Sequence, residues 1–183
     1  MDIGAAAYSR FLEGDNSGIE EIIAEYKDAL MLYLLGFCGN ITAAEDLMED
    51  VFVKLVVDKP AFKMKSSFKT WLFAIAGNVA RDYLRKSKRR SFVPLENIAE
   101  MGEEEDILKE HFRSENKLLI HRCLDSLNPD YRQVIYLTFF EGFSNAEAGR
   151  IMKKTNRQIE NLLYRAKQAL KAEMRKEGYT YEE

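Results

Sequence analysis

The chain has 183 residues and a formal net charge of −3, with 46% apolar and 31% charged residues. That length suits one ordinary domain or two small ones, and the apolar share can bury a core, which excludes wholesale disorder. The mild acidity argues at first sight against a nucleic-acid binder, and ten glycines with three prolines give too few turns for an all-β chain.

Met1 to Asp15 carries neither a basic n-region nor an apolar run, so no signal peptide is expected. Ile19, Ile22, Ile23, Tyr26, Leu30, Tyr33, Leu34 and Phe37 recur every three or four residues, which predicts a helix with one apolar face. Ser17 and Glu20 read as its capping box. A second helix is predicted from Thr42, with Glu45 three residues on. It turns Leu47, Val51, Phe52 and Leu55 inward and ends at Asp58-Lys59-Pro60, where proline cannot continue the ladder. After a looser stretch from Ala61 to Ser67, helical pattern resumes at Phe68 and runs through Trp71, Leu72, Ile75, Val79 and Leu84. Gly77 is expected to bend or break it.

From Ser91 the apolar periodicity fades. Pro94, Gly102 and the run Glu103-Glu104-Glu105-Asp106 predict a solvated linker between two domains. Pattern returns at Leu118, Leu119 and Cys123. Asn128-Pro129 opens a helix, Asn128 as N-cap and Pro129 at the first helical position, that runs to about Gly142. Ser144 with Glu147, and Thr155 with Gln158, form two capping boxes around a tight Lys153-Lys154 turn, a helix-turn-helix pattern. In the second of these helices Ile159, Leu162, Leu163, Ala166 and Leu170 share one face. Arg157, Gln158, Glu160, Asn161, Tyr164 and Arg165 line the other, long polar side chains suited to base edges and phosphates in a major groove. The fold class expected is all-α: two small helical domains, residues 1–94 and 118–183, joined by an acidic flexible linker, 95–117.

The stretches AAEDLMEDVFVKL at 43–55, SSFKTWLFAIAGNVARDYLR at 66–85, and LDSLNPDYRQVIYLTFFEGFSNAEAGRIM with RQIENLLYRAKQALK between 124 and 171 carry a resemblance by their order and spacing. The chain resembles the extracytoplasmic-function (ECF) sigma factors of bacterial RNA polymerase over about Ile19 to Arg90 (region 2) and Leu118 to Glu173 (region 4). The resemblance implies a non-catalytic initiation factor. It would bind core RNA polymerase, recognise and melt the promoter −10 element, and bind the −35 element. An anti-sigma factor is a possible partner, and no cofactor is implied.

Each assignment also has a physical reading. Glu45, Asp46, Glu49 and Asp50 make an acidic ridge opposite an apolar face. The resemblance makes Asp46, Glu49 and Asp50 the polymerase-binding positions, and the bland alternative is a solvated face. Trp71, with Phe68, Phe73 and Tyr83, lies among Lys63, Lys65, Lys69, Arg81, Arg85 and Lys86. Aromatics interleaved with cations suit single-stranded DNA, although Trp71 also reads as core. The resemblance places a flipped −10 base at a loop formed by Gly77 and Asn78, where the Asn78 amide can reach a base edge. Five cations in Arg85-Lys86-Ser87-Lys88-Arg89-Arg90 suit phosphates or simply a helix end. It assigns −35 recognition to Arg157, Gln158, Glu160, Asn161, Tyr164 and Arg165. The sequence departs from the common family pattern at Glu160 and Leu162, often basic, at Lys153, often glycine, and at Thr138, often arginine. A glutamate can accept from a cytosine amino group. The linker is implied to thread the polymerase's nucleic-acid channels.

Rival classes have less support. His111 and His121 have no nucleophile or carboxylate at motif spacing, there is no phosphate-binding glycine loop, and Cys38 and Cys123 match no zinc or disulfide spacing. No enzyme, no metal, no membrane insertion and a reduced, cytoplasmic setting are expected. Charge resolves by segment: residues 1–94 carry 13 acidic and 13 basic side chains, 95–117 carry 8 and 3, and 118–183 carry 9 and 11. The acidity therefore belongs to the linker, and the last segment is net basic.

Overall fold

In the computed structural model, which describes residues 2–90, 120 and 123–178, every regular element is helical. The first unit holds α1 (Ile3–Leu12), α2 (Ser17–Cys38), α3 (Ile41–Val57) and α4 (Phe68–Arg90). The second holds a short helical stretch at 123–125, α5 (Pro129–Ile135) running into a π turn (Tyr136–Phe140), α6 (Asn145–Met152) and α7 (Asn156–Lys176). The expected linker, 95–117, lies outside the described residues, as does the 118–119 return of pattern.

Helix α1 is a finding of the structure. Its Ala5, Ala7, Tyr8 and Phe11 are buried, and two tethers hold it. The Asp2 carboxylate accepts from Ala5 N (3.1 Å) at the start of α1 and from Phe68 N (2.6 Å) at the start of α4. One anion thus serves two helix N-termini, where unsatisfied N–H groups and the helix dipole favour it. The Tyr8 hydroxyl donates to Pro60 O at 2.9 Å, and burial pushes its pKa up to about 12. The ring of Tyr8 packs on Phe68 and Trp71, and Phe62 closes over both. Trp71 is thereby a packing residue, half-buried among aromatics.

The predicted apolar faces of α2 and α3 point inward: Ile22, Leu30, Tyr33, Leu34 and Phe37 of α2 and Leu47, Val51, Phe52 and Leu55 of α3 are all buried. On α4 the expected Phe68, Leu72 and Val79 are buried, Trp71, Ile75 and Leu84 are half-buried, and Phe73, Ala76 and Ala80 are buried beside them. Three local expectations are corrected. Ser17 is the first residue of α2, not its cap: the N-cap is Asn16, and Asp15 Oδ1 accepts from Ser17 N at 3.0 Å. The cap of α3 is Asn40, whose side chain accepts from Ala43 N at 2.8 Å, so the helix starts before Thr42 and Glu45 closes no box. Helix α4 passes through Gly77 without a break. There is no Gly77-Asn78 loop. A Cβ at Gly77 would stand 3.0 Å from the Tyr33 hydroxyl and 3.2 Å from the Arg81 guanidinium, so this glycine admits close neighbours within a continuous helix.

In the second unit the local signals and the structure agree. Asn128 caps α5 through Tyr131 N (3.0 Å), and the capping boxes Ser144/Glu147 and Thr155/Gln158 are both formed. Gly149 lies so near the turn that a Cβ would meet Lys154 O at 2.7 Å, and Lys153 takes the left-handed conformation (φ 57°) that glycine often supplies. The π turn is marked by the Glu141 N–H donating to Tyr136 O, and Phe139 and Phe140 are exposed.

Close helix approach in the first unit depends on Gly18, where a Cβ would fall 2.2 Å from Ala7 O and 2.9 Å from Phe11 N. Backbone atoms cannot give way as a flexible side chain does. Gly18→Ala is therefore expected to destabilise the protein by about 1–3 kcal/mol, read as a lowered urea midpoint with an unchanged slope.

Candidate nucleic-acid and polymerase interface

The acidic residues Glu45, Asp46, Glu49 and Asp50 are all exposed on α3, opposite the buried Leu47, Val51 and Leu55. Their three- and four-residue spacing puts them in one row. The row continues into Val53, Val56 and Val57, which are also exposed, so the acidic ridge ends in an apolar strip. The sequence reading passed over these valines, although their places in the i, i+3, i+4 series marked them.

The expected single-strand-binding residues divide into two groups. Lys63, Lys65, Arg85 and Lys86 have exposed side chains, with Arg85 paired to Asp82 at 3.1 Å. The side chains from residue 87 to residue 90 lie outside the described ones. Lys69, Phe73, Gly77 and Arg81 recur every four residues and form a ridge of α4 that meets the second unit. Lys69 Nζ pairs with Glu141 Oε2 at 2.8 Å, donates to Glu141 O at 3.1 Å, and stands 5.1 Å over the Phe143 ring. Arg81 donates to Asn78 Oδ1 (3.0 Å) and to Ile151 O of α6 (3.3 Å). Asn78 is exposed, but its acceptor oxygen is held by Arg81.

Other groups tie the same faces together. The Thr70 hydroxyl, buried beside Ser67, donates to Glu147 Oε1 at 3.0 Å. Arg150 donates to Lys65 O at 2.9 Å. Phe73 meets Phe143 edge-on (5.2 Å), and Tyr33 stacks on Tyr136 (6.1 Å). The Tyr136 hydroxyl sits between Ala29 O (3.0 Å) and Glu141 Oε1 (2.8 Å), and burial, then Glu141, raises its pKa far above the usual phenol value. Arg132 donates to Gly36 O of α2 while also binding the carbonyls of Leu124, Asp125 and Leu127. No short-range pattern signals these pairs, because their partners lie 70 to 107 residues away.

All six expected duplex-reading residues of α7 are exposed: Arg157, Gln158, Glu160, Asn161, Tyr164 and Arg165. The opposite face, Ile159 and Ala166, is fully buried. Gln158 spends its carbonyl oxygen on the Thr155 N–H (2.8 Å), leaving its amide nitrogen outward. Glu160 accepts from Asn156 Nδ2 at 2.7 Å. Asn156 was absent from the sequence reading; an amide four residues before a carboxylate on a helix was its signal. Behind α7 an apolar groove of about 490 Å³ is lined by Ile120, Ile135, Phe139, Phe140, Leu170 and Met174 with Lys167 and Lys171 at its edge.

Among the described residues no group of histidine, cysteine, aspartate and glutamate is arranged to hold a metal ion, and no helix is long and apolar enough to cross a membrane. Cys38 and Cys123 form no disulfide with each other, and the Cys38 thiol lies 3.3 Å from Leu34 O. His111 and His121 lie outside the described residues.

Comparison with known proteins agrees with this division. Residues 22–90 match the family Sigma-70 region 2, and residues 117–170 match Sigma-70, region 4. The chain is 26% identical over 172 residues to the ECF RNA polymerase sigma factor SigW of Bacillus subtilis (strain 168), covering 89% of this chain and 92% of that one. It is 27% identical over 174 residues to the ECF RNA polymerase sigma-E factor of Escherichia coli (strain K12), covering 88% of each. Among solved structures it is similar in fold to the sigma factor RpoE of Bartonella quintana, determined with the anti-sigma factor NepR (TM-score 0.68, 24% identity, 85% of this chain and 96% of that one). It is likewise similar to CnrH, determined with the cytosolic domain of CnrY (TM-score 0.63, 24% identity, 93% of each chain).

Glu147 joins the α6 cap to Thr70 and offers a pH test. Burial alone pushes its carboxyl up, but the Ser144 N–H and hydroxyl, the Thr70 hydroxyl and Arg150 outweigh that and hold it below the usual value. A lowered folded pKa contributes stability that is full above the unfolded glutamate value of about 4.3 and is lost as pH falls through the folded value. Thermal melts of the wild type and Glu147→Gln between pH 7 and pH 3 should show a wild-type advantage at neutral pH that shrinks as the pH falls below the unfolded glutamate value.

Proposed function

The chain belongs to the ECF group of the sigma-70 family, and from that premise we propose how its surfaces divide the work of transcription initiation. The acidic row of α3, with Asp46, Glu49 and Asp50 at its centre, docks core RNA polymerase. Single-stranded DNA of the −10 element follows α4 and the loop before it. Lys63, Lys65, Lys69, Arg81, Arg85 and Lys86 meet phosphates there, and Asn78 meets a base edge. Trp71 acts by packing, holding α4 against α1 rather than stacking a base. The N-terminal half of α7 enters the major groove of the −35 duplex, where Arg157, Gln158, Glu160, Asn161, Tyr164 and Arg165 face the bases and backbone.

The observation that carries this reading is α7. Six polar side chains, none of them drawn into the core, project from the start of a helix whose reverse face is sealed and whose N-terminus is fixed by a complete capping box. That is a rigid platform for base readout. The exposed acidic row on α3 supports the polymerase assignment, since a simple duplex-binding regulator has no use for it. The chain carries out no chemistry in this reading: it positions polymerase and holds opened strands. An anti-sigma partner belongs to the same proposal, as the RpoE factor of Bartonella quintana was solved with one.

The direct experiment mixes the protein with core polymerase and a genomic promoter library and sequences the run-off transcripts. Discrete start sites are expected; duplex binding without any specific transcript would replace the sigma reading with that of a plain regulator. Charge reversal at Asp46 and Asp50 together should weaken polymerase binding by about tenfold or more with the circular dichroism spectrum unchanged. Asn78→Ala should alter −10 preference and leave −35 binding intact, and an effect confined to −35 binding would refute its assignment.

A further inference from the structure

We infer that the packing of the second unit on α4 is a resting state of this sigma factor, in which α6 and the segment before it occupy the central cations of the single-strand-binding face, Lys69 and Arg81, and Tyr33 sets how readily they leave. The inference rests on the proposed role of α4. It starts from a coincidence of residues. Lys69 and Arg81, two of the cations assigned to melted DNA, are the same residues that hold the second unit, through Glu141 and Ile151 O. A phosphate and Glu141 cannot both take Lys69. Arg150 likewise fixes the backbone at Lys65, between the other cations of the loop. The duplex-reading side of α7, by contrast, is fully open in this arrangement. The free protein is thus competent for duplex but offers a single strand only the outer cations Lys63, Lys65, Arg85 and Lys86, with Lys69 and Arg81 occupied, which orders the two binding events.

The contact is built to come apart. Polar and ionic links at Lys69, Thr70, Arg81 and Arg150 run beside an apolar seam, where Phe73–Phe143 and Tyr33–Tyr136 supply ring packing and Leu137 and Ile151 join the same buried cluster. Contacts between domains of one chain behave more often like transient interfaces than obligate ones, so relative movement is the default. It also carries a built-in defect. The Tyr33 hydroxyl is buried with no hydrogen-bond partner among the described residues, beside Gly77 on the very ridge that faces the second unit. A buried hydroxyl without a partner disfavours the state that buries it. Separation of the units lets water reach it, so this one oxygen pushes the equilibrium toward opening while Lys69–Glu141 and Thr70–Glu147 pull it shut.

The two forces predict substitutions of opposite sign. In free full-length protein, Glu141→Lys should open the units. The radius of gyration from small-angle scattering rises, and affinity for a fluorescent random 12-nucleotide single strand tightens about tenfold. Adding Lys69→Glu restores the ion pair with its signs exchanged and should return the radius to the wild-type value, which a merely misfolded protein would not do. Tyr33→Phe removes the unpaired hydroxyl and nothing else, and should weaken single-strand binding roughly fivefold without expanding the protein. A folded Glu141→Lys with unchanged radius and affinity overturns the inference, as does a charge swap that stays expanded. Lys63→Ala with Lys86→Ala in the Glu141→Lys background isolates the premise. If the protein has expanded but its single-strand affinity ignores these two cations, α4 is not the DNA face; the resting-state reading then falls with that premise, and the compact state itself stands.

Discussion

The organisation of the molecule depends on one continuous helix. α4 has to serve three neighbours at once: its Phe68, Leu72 and Ala76 face the first unit's core, its Lys69–Phe73–Gly77–Arg81 ridge faces the second unit, and its remaining polar positions face solvent. A break at Gly77 would rotate the residues after it away from those directions, because each residue of helix advances the side chains by a fixed angle. Continuity through Gly77 is therefore what puts Arg81 in line with Lys69. The missing Cβ is what lets Tyr33 and the Arg81 guanidinium approach that line from either side.

The start of α4 is fixed with equal economy. Asp2 holds its first amide as well as the start of α1, and Ser67 accepts from the Thr70 N–H at 3.1 Å. Thr70 then passes a hydrogen bond on to Glu147, which is itself half of the α6 capping box. The N-terminus of α4 and the N-terminus of α6, the first helix-turn-helix element, thus share one chain of hydrogen bonds. Movement of the second unit breaks that chain at a single link, Thr70 to Glu147. The capping box, which lies wholly within residues 144–147, is left intact. The helix-turn-helix can leave as a preformed body.

This distinction between local and distant bonds also explains what was legible in the sequence. The caps at Asn128, Ser144 and Thr155 complete their hydrogen bonds within three residues, and each was readable. Ser17 and Thr42 offered the same pattern falsely. Asp15 and Asn40 each stand two residues upstream, and their side-chain oxygens reach the chain first. The apolar faces of α2, α3 and α4 were readable because burial repeats with the helical period. Helix α1 was not, since three alanines and a glycine give it little apolar contrast and its burial comes from Phe68 and Tyr26 far along the chain. Gly77 was read as a breaker because glycine weakens helices in isolation; packing against Tyr33 and Arg81 supplied the opposite reason for it. For the site, the exposed rows on α3 and α7 followed from periodicity alone. The engagement of Lys69 and Arg81 did not, because Glu141 and Ile151 are brought to them only by the tertiary fold.

Charge shows how the same residues serve two states. Lys69 is held by a carboxylate that is only 12% exposed, so the pair is shielded from solvent far better than the surface pair Lys54–Asp58, whose side chains are each more than half exposed. Shielding strengthens the pair but leaves Glu141 as a costly charge if Lys69 is withdrawn. Tyr136, 2.8 Å from the same carboxylate, limits that cost by keeping one hydrogen-bond donor on Glu141 after the units part, because both residues belong to the second unit. On the other side Lys69 regains its full hydration. Neither partner is stranded by opening, whereas closing strands the Tyr33 hydroxyl. The Tyr33 hydroxyl thus biases the molecule toward parting, and Lys69–Glu141, Thr70–Glu147 and the ring contacts Phe73–Phe143 and Tyr33–Tyr136 oppose it. A balance of that kind can be tipped by the modest binding energy of a polymerase surface or a melted strand.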